Sequence, residues 1–143
     1  KAIILARELG LEVDLDDVEI EPFVPASILA EDDLERFFAA LAAHDAAQEA
    51  ALSALRSEGR TLRYLARIDP RGGPDGRPNI RVAPVGVPAT HPATRLRGSE
   101  AFVAFTTERY AEYPLIVQGA GAGGAVTAAG VLADVLALSQ TLR

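Results

Sequence analysis

The sequence predicts an α+β (α/β) domain built on a mixed β-sheet of four to five strands, with helices packed mainly on one face. Apolar residues recur at helical spacing in an Ala-rich segment, residues 34–58, and they alternate at period two in residues 61–68 and 79–88. An apolar strand at 115–118 then runs through a glycine turn into a last helix. With 143 residues, the chain has the length of one domain.

The first half of the chain predicts two helices and a short strand between them. Residues 1–11 have the apolar pattern of a helix that ends at Gly10, since glycine favours the left-handed cap. Val18 and Ile20 alternate with acidic residues, which predicts a short strand. We assign the four carboxylates nearby to a solvated loop and an exposed strand face rather than to a metal site. Asp32, with Glu35 three residues later, predicts the start of the longest helix.

The second half predicts the strands of the sheet. Thr61–Ile68 and Asn79–Pro88 predict a hairpin with a long connection, and Pro84 and Pro88 restrict the second strand to an edge or a bulge. The remaining predicted elements are a turn at His91–Gly98, strands at Glu100–Thr107 and Tyr113–Gln118, and a terminal helix expected to be the most buried.

Composition excludes several classes of function. The net charge of −6 and the scattered arginines argue against nucleic acid or an anionic membrane as the partner, because binding phosphates requires clustered cations. The absence of cysteine excludes disulfides, thiolate zinc sites and a Cys nucleophile. The longest apolar stretch, Ala125–Leu138, is interrupted by Thr127 and Asp134, so we expect no membrane span and a cytoplasmic location.

Lys1 is the only lysine, whereas the chain has 13 arginines. A lysine ammonium can exchange a proton, which a guanidinium cannot do near neutral pH, so this position is a candidate for proton transfer. From composition alone, an accident of where the chain begins is the better explanation. The chain contains no methionine, so we expect it to be processed or cut from a longer protein.

The glycine turn is the most informative segment. Gly119, Gly121 and Gly124 satisfy the spacing G-x-G-x-x-G, in which backbone N–H groups approach a ligand at a helix N-terminus. A dinucleotide fingerprint also requires a second strand, with an acidic residue about 20 positions later, but only 19 residues follow Gly124. Two readings stay open: close packing of a helix on a sheet, and a secondary contact to a cofactor held elsewhere.

Two segments resemble a known family. The run from Gln118 to Asp134 resembles the carboxyl-terminal signature of homoserine dehydrogenases, and Lys1–Arg7 resembles the helix that begins with that family's catalytic lysine. Gly59–Asp69 and Arg109–Leu115 are also similar to it. The resemblance therefore extends over nearly the whole chain.

The resemblance implies that residues 1–143 are the later part of the catalytic, substrate-binding and dimerisation domain, without the amino-terminal nucleotide-binding domain. It implies interconversion of L-homoserine and L-aspartate 4-semialdehyde with NADP or NAD in threonine, methionine and isoleucine biosynthesis. Lys1 would be catalytic, Gly123 would touch the cofactor, and Gly121 and Gly124 would support the turn, with no metal required. A homodimer through the sheet is expected, and the family includes forms fused behind an aspartate kinase. The alternative is a non-catalytic dimerisation or regulatory module whose glycine turn serves packing alone.

Overall fold

A computed structural model describes residues 1–142, and its helices and strands confirm the α+β class. The helices are α1 (Ala2–Glu8), α2 (Ala26–Leu29), α3 (Leu34–Ser57) and α4 (Gly124–Thr141); the strands are β1 (Val18–Ile20), β2 (Arg60–Asp69), β3 (Asn79–Pro88), β4 (Glu100–Phe105) and β5 (Leu115–Ala120). The chain divides into two compact units, one from Lys1 to Ala89 and one from Thr90 onward.

The five described strands lie within the predicted number but form two sheets rather than one. In the first unit the order is β1-β3-β2, with β2 and β3 antiparallel, as the predicted hairpin requires, and β1 parallel to β3. In the second unit β4 and β5 form their own antiparallel pair, from Glu100 opposite Ala120 to Phe105 opposite Leu115. Alternation of apolar residues predicts a strand but not its partner: β2 with β3 and β4 with β5 are consecutive in sequence, whereas β1 pairs with β3 and not with β2.

The two prolines of β3 lie where only one neighbouring strand pairs with it. β1 reaches only Ile80, Arg81 and Val82, so in the described chain the half of β3 that contains Pro84 and Pro88 pairs with β2 alone. The prediction of an edge position is therefore confirmed for that half, while the first half of β3 is central. Proline cannot donate a backbone hydrogen bond, which accounts for this division.

α1 ends as predicted and carries the core of the first unit. Gly10 has φ +80°, its N–H donates to the carbonyl of Arg7, and the Leu11 N–H donates to the carbonyl of Ala6, which is a Schellman ending. Ala2 and Ala6 pack with Val13 and Ile80 in a buried cluster. The small alanines let α1 approach β3 closely at Ile80, which is 2% exposed.

α3 is the longest helix of the described chain, as predicted, but it begins one residue later than expected. Its N-cap is Asp33, whose Oδ1 accepts from the Arg36 N–H at 2.9 Å, and not Asp32. The Glu31 carboxylate accepts from the Asp33 N–H at 3.2 Å and so supports the chain as it enters the helix. No residue of α3 is fully buried, consistent with a partly exposed helix.

α4 contradicts the expectation of a buried terminal helix, and the structure does not show the helices packed on one face. All its residues are exposed, and its valine and leucine side chains are 47% to 61% exposed. By length and composition alone α4 could cross a membrane, although core helices of soluble proteins pass the same test. A helix that is apolar on almost every side is normally covered, but the described residues do not cover α4.

Candidate functional site at the glycine turn

The candidate site is the turn between β5 and α4, in the second unit. β5 ends at Ala120, and the next N–H, that of Gly121, donates to the carbonyl of Ser99 at 2.7 Å. α4 then begins at Gly124, with the Thr127 N–H donating to the Gly123 carbonyl at 3.0 Å. The predicted strand, glycine turn and helix are therefore present, and the turn is tied to the segment that precedes β4.

The glycines of this turn differ in whether packing or backbone conformation requires glycine at their position. A Cβ on Gly121 would lie 2.7 Å from the Ala101 Cβ and 3.3 Å from the Ser99 carbonyl oxygen, so internal packing requires glycine there. Gly123 has φ +129°, a conformation that side-chain-bearing residues rarely adopt. Gly119 and Gly124 face open space and have ordinary φ values, so neither packing nor conformation requires them to be glycine.

The start of α4 presents backbone donors to this open space. The N–H groups of residues 124–126 precede the first intrahelical bond, and Gly123 has no side chain to cap them. A helix of 18 residues also places partial positive charge at this end. With bare backbone at Gly119 and Gly124, the turn can accept a closely approaching anionic or polar ligand.

Glu100 and Gln118 support the turn, and the sequence reasoning did not identify them as site residues. Glu100 Oε2 accepts from the Arg97 N–H at 2.8 Å and lies 3.4 Å from Gln118 Nε2. Only their positions along the sequence could have indicated this contact: Glu100 begins β4, and Gln118 lies in β5 just before the turn. His91, which we expected in a turn, caps the 3-10 turn Pro92–Arg95 and packs edge-on against Phe102.

Lys1 lies in the first unit and the three glycines lie in the second. It immediately precedes α1, its carbonyl accepts from the Leu5 N–H at 3.2 Å, and the residue is exposed. Gly121, Gly123 and Gly124 are brought together in one turn, as predicted. The roles assigned to these four residues stay predictions.

Acidic residues in the segment after α1, residues 14–17, form hydrogen bonds and an ion pair with nearby residues of the same unit. Asp14 forms an ion pair with Arg7, and its N–H donates to Asp17 Oδ2 at 2.7 Å. Across residues 1–142 no group of three or more His, Cys, Asp or Glu side chains could hold a metal ion. These carboxylates therefore serve the local turn.

The fold and the turn define the chain as an α+β protein in which a helix N-terminus and bare glycine backbone face open space. A family model described as homoserine dehydrogenase matches residues 1–136. The chain is 37% identical over 147 residues to a homoserine dehydrogenase of Paracoccidioides brasiliensis and 36% identical over 142 residues to a bifunctional aspartokinase/homoserine dehydrogenase of Zea mays. The chain therefore belongs to the homoserine dehydrogenase family.

The relatives are longer than this chain. The alignments cover 100% of the chain but 37% of the Paracoccidioides protein, and 99% of the chain but 15% of the maize protein. A crystal structure of a Candida auris protein of unknown function superposes with a TM-score of 0.82 at 33% identity, over 98% of this chain and 38% of that one. The shared fold thus extends over nearly the whole of this chain.

Proposed function

We propose that residues 1–143 are the later part of the catalytic, substrate-binding and dimerisation domain of a homoserine dehydrogenase. The full enzyme would interconvert L-homoserine and L-aspartate 4-semialdehyde with NADP or NAD in the synthesis of threonine, methionine and isoleucine, in the cytoplasm. The observation that carries this proposal is the glycine turn. The match of the family model spans it, and two of its glycines have no internal reason to be glycine.

A nicotinamide cofactor fits the turn on structural grounds. Gly119 and Gly124 leave room for close approach, and the uncapped N–H groups at the start of α4 favour an anionic or polar group of the ligand. When bound, the cofactor would accept hydride from the alcohol carbon or return it to the aldehyde. Gly123 would touch the cofactor, and Gly121 and Gly124 would support the turn around it.

Lys1 would move the proton that accompanies hydride transfer. On oxidation, the homoserine hydroxyl gives its proton to the amine of Lys1 while the carbon loses hydride; on reduction, the ammonium returns the proton to the forming alkoxide. Lys1 lies immediately before α1, at the position that the resemblance gives to the catalytic lysine. Arginine would supply the same charge but would not exchange the proton.

The exposed apolar side chains of α4 support the proposal that a nucleotide-binding domain outside these residues completes the enzyme. The fungal relative has more than twice the aligned length, which leaves ample chain to cover the helix. A membrane is a poorer cover, because Asp134 at the middle of the span would cost about 2.5–3.5 kcal/mol. A homodimer through the sheet and no nucleic-acid partner complete the proposal.

The experiment uses the full polypeptide that carries these residues and measures homoserine-dependent reduction of NADP⁺ or NAD⁺ at 340 nm. Lys1→Ala and the charge-conserving Lys1→Arg should each lower turnover by at least about a hundredfold, the typical contribution of a positioned acid or base. Cofactor affinity should stay within about twofold, because Lys1 acts on the proton. Arg71→Ala is the control, since this exposed cation lies in the loop between β2 and β3.

Turnover near the wild-type value in Lys1→Arg would exclude proton exchange at this residue. If the full polypeptide shows no homoserine-dependent reduction, and NADPH leaves the NMR signals of Gly121–Gly124 unchanged, the non-catalytic module replaces the proposal. The division of Lys1 and the glycines between two units is the observation that favours this rival. Nucleotide binding by the 143-residue chain alone would instead favour a phosphate-binding domain.

A further inference from the structure

The turn before β4 is closed by both the backbone and the side chain of one residue. The Glu100 N–H donates to the Arg97 carbonyl at 3.0 Å, and Glu100 Oε2 accepts from the Arg97 N–H at 2.8 Å. Gly98, inside this turn, has φ +54°. Two reciprocal bonds across four residues hold the turn in one shape.

The same carboxylate also reaches the neighbouring strand. Glu100 Oε2 lies 3.4 Å from Gln118 Nε2, and Glu100 pairs with Ala120 at the last position of the ladder between β4 and β5. Gln118 is one residue before Gly119, where the glycine spacing begins. Glu100 thus links the turn before β4 to the end of β5.

The residues on either side of Glu100 are those that contact Gly121. The Ser99 carbonyl accepts from the Gly121 N–H at 2.7 Å, and the Ala101 Cβ occupies the space that a Gly121 side chain would need. A change in the backbone at Glu100 therefore moves both supports of Gly121. The carboxylate is therefore connected to the glycine turn through its two neighbours in sequence.

We infer that Glu100 is a positioning residue for cofactor binding. Its carboxylate holds residues 97–101 against β5, so that the glycine turn keeps its backbone in the shape a dinucleotide needs. This inference rests on the proposed function. Because Glu100 acts through Ser99 and Ala101, its loss should weaken binding of the cofactor and leave proton transfer unchanged.

The test measures steady-state kinetics of the full polypeptide with Glu100→Ala, Glu100→Gln and a control, Glu108→Ala. Glu108 is exposed and forms no hydrogen bond or ion pair that the described residues record. Glu100→Ala should raise the KM for the nicotinamide cofactor on the order of fivefold to tenfold, the loss expected for one typical solvent-exposed hydrogen bond. The kcat and the KM for homoserine should stay within about twofold. Glu100→Gln keeps an oxygen that accepts from the Arg97 N–H and should restore most of the cofactor KM.

An unchanged cofactor KM in Glu100→Ala overturns the inference, as does an equal change in Glu108→Ala. A parallel loss of kcat and of Tm would assign Glu100 to general stability, and a cofactor KM below wild type in both Glu100 variants would assign it a repulsive charge effect. If the wild-type polypeptide lacks the activity, the proposed function fails. Amide exchange of Gly121 still tests the positioning role: it should be on the order of tenfold faster in Glu100→Ala, and an unchanged rate refutes the role.

Discussion

Gly121→Ala introduces a methyl group where the structure has no room for it. Its Cβ would lie 2.7 Å from the Ala101 Cβ, whereas ordinary contacts begin at 3.4 Å, and it would lie 3.3 Å from the Ser99 carbonyl oxygen. Backbone atoms of Gly121 and Ser99 are joined by a hydrogen bond of 2.7 Å, so neither can move alone. The overlap must therefore be relieved by separating the turn from β4.

The cost follows from these contacts. Overpacking costs about 1–3 kcal/mol, and this exposed turn can relax, which favours the lower half of that range. Losing the bond between Gly121 and Ser99 would add about 0.5–1.5 kcal/mol. The total of about 1.5–3.5 kcal/mol corresponds to amide exchange that is roughly tenfold to a few hundredfold faster in the ladder of β4 and β5, where opening of the second unit is measured separately from the first.

Hydrogen exchange followed by NMR gives the readout, with Gly124→Ala as the matched control. Gly124 faces open space at the first position of α4, where alanine is a better helix former, so exchange should be unchanged or slower. Ala101→Gly should partly rescue Gly121→Ala, because it removes the opposing methyl group. Wild-type exchange in Gly121→Ala, or no rescue by Ala101→Gly, would refute the packing explanation.

Two further predictions concern α3. Asp33→Ala should lower the free energy of unfolding by about 1 kcal/mol through loss of the N-cap, whereas Asp32→Ala should change it little; chemical denaturation followed by circular dichroism distinguishes them. Hydrogen bonds from Arg56 and, to a smaller extent, from Ser53 lower the pKa of Glu49 in the folded protein. The ionised Glu49 carboxylate therefore stabilises the fold above the ordinary carboxyl pKa, and this stabilisation is lost as the pH falls through the lowered pKa of Glu49. An NMR titration should show the Glu49 pKa rising in Arg56→Ala and at high salt.

The sequence predicts features that depend on neighbours along the chain. Gly10 ends α1 and Gly59 follows α3 with positive φ, because only glycine adopts that conformation without strain. The edge position of Pro84 follows from its missing N–H. The predicted cap, Asp32, was wrong: the observed N-cap is the next residue, Asp33. The Asp33 N–H also donates to the Glu31 carboxylate, a side-chain contact that the capping pattern does not include.

Features that depend on distant contacts were not predictable. The spacing of Gly119, Gly121 and Gly124 identifies the turn, but Glu100 and Gln118 support it from separate strands, and strand pairing is not visible in local alternation. The apolar composition of α4 predicts burial, although none of its residues is buried in the described chain. What covers a helix is a property of its partner, which its own sequence does not specify.

The half of β3 that pairs with β2 alone has one side without a neighbouring strand, and this limits how copies of this chain can associate. The Val82 carbonyl points toward β1 and accepts from the Glu21 N–H. Because backbone polar groups point to the same side at every second residue of a strand, those of Pro84, Gly86 and Pro88 also point to this side. Two of these residues have no N–H to donate, and the Arg60 guanidinium donates to the Gly86 carbonyl at 3.0 Å through Nε. Among these three residues only Gly86 has an N–H to offer an incoming strand, so the hydrogen-bond ladder there would be incomplete, which disfavours edge-to-edge association. A homodimer through this sheet would therefore form between its faces and not by extending its hydrogen-bond ladder at this border.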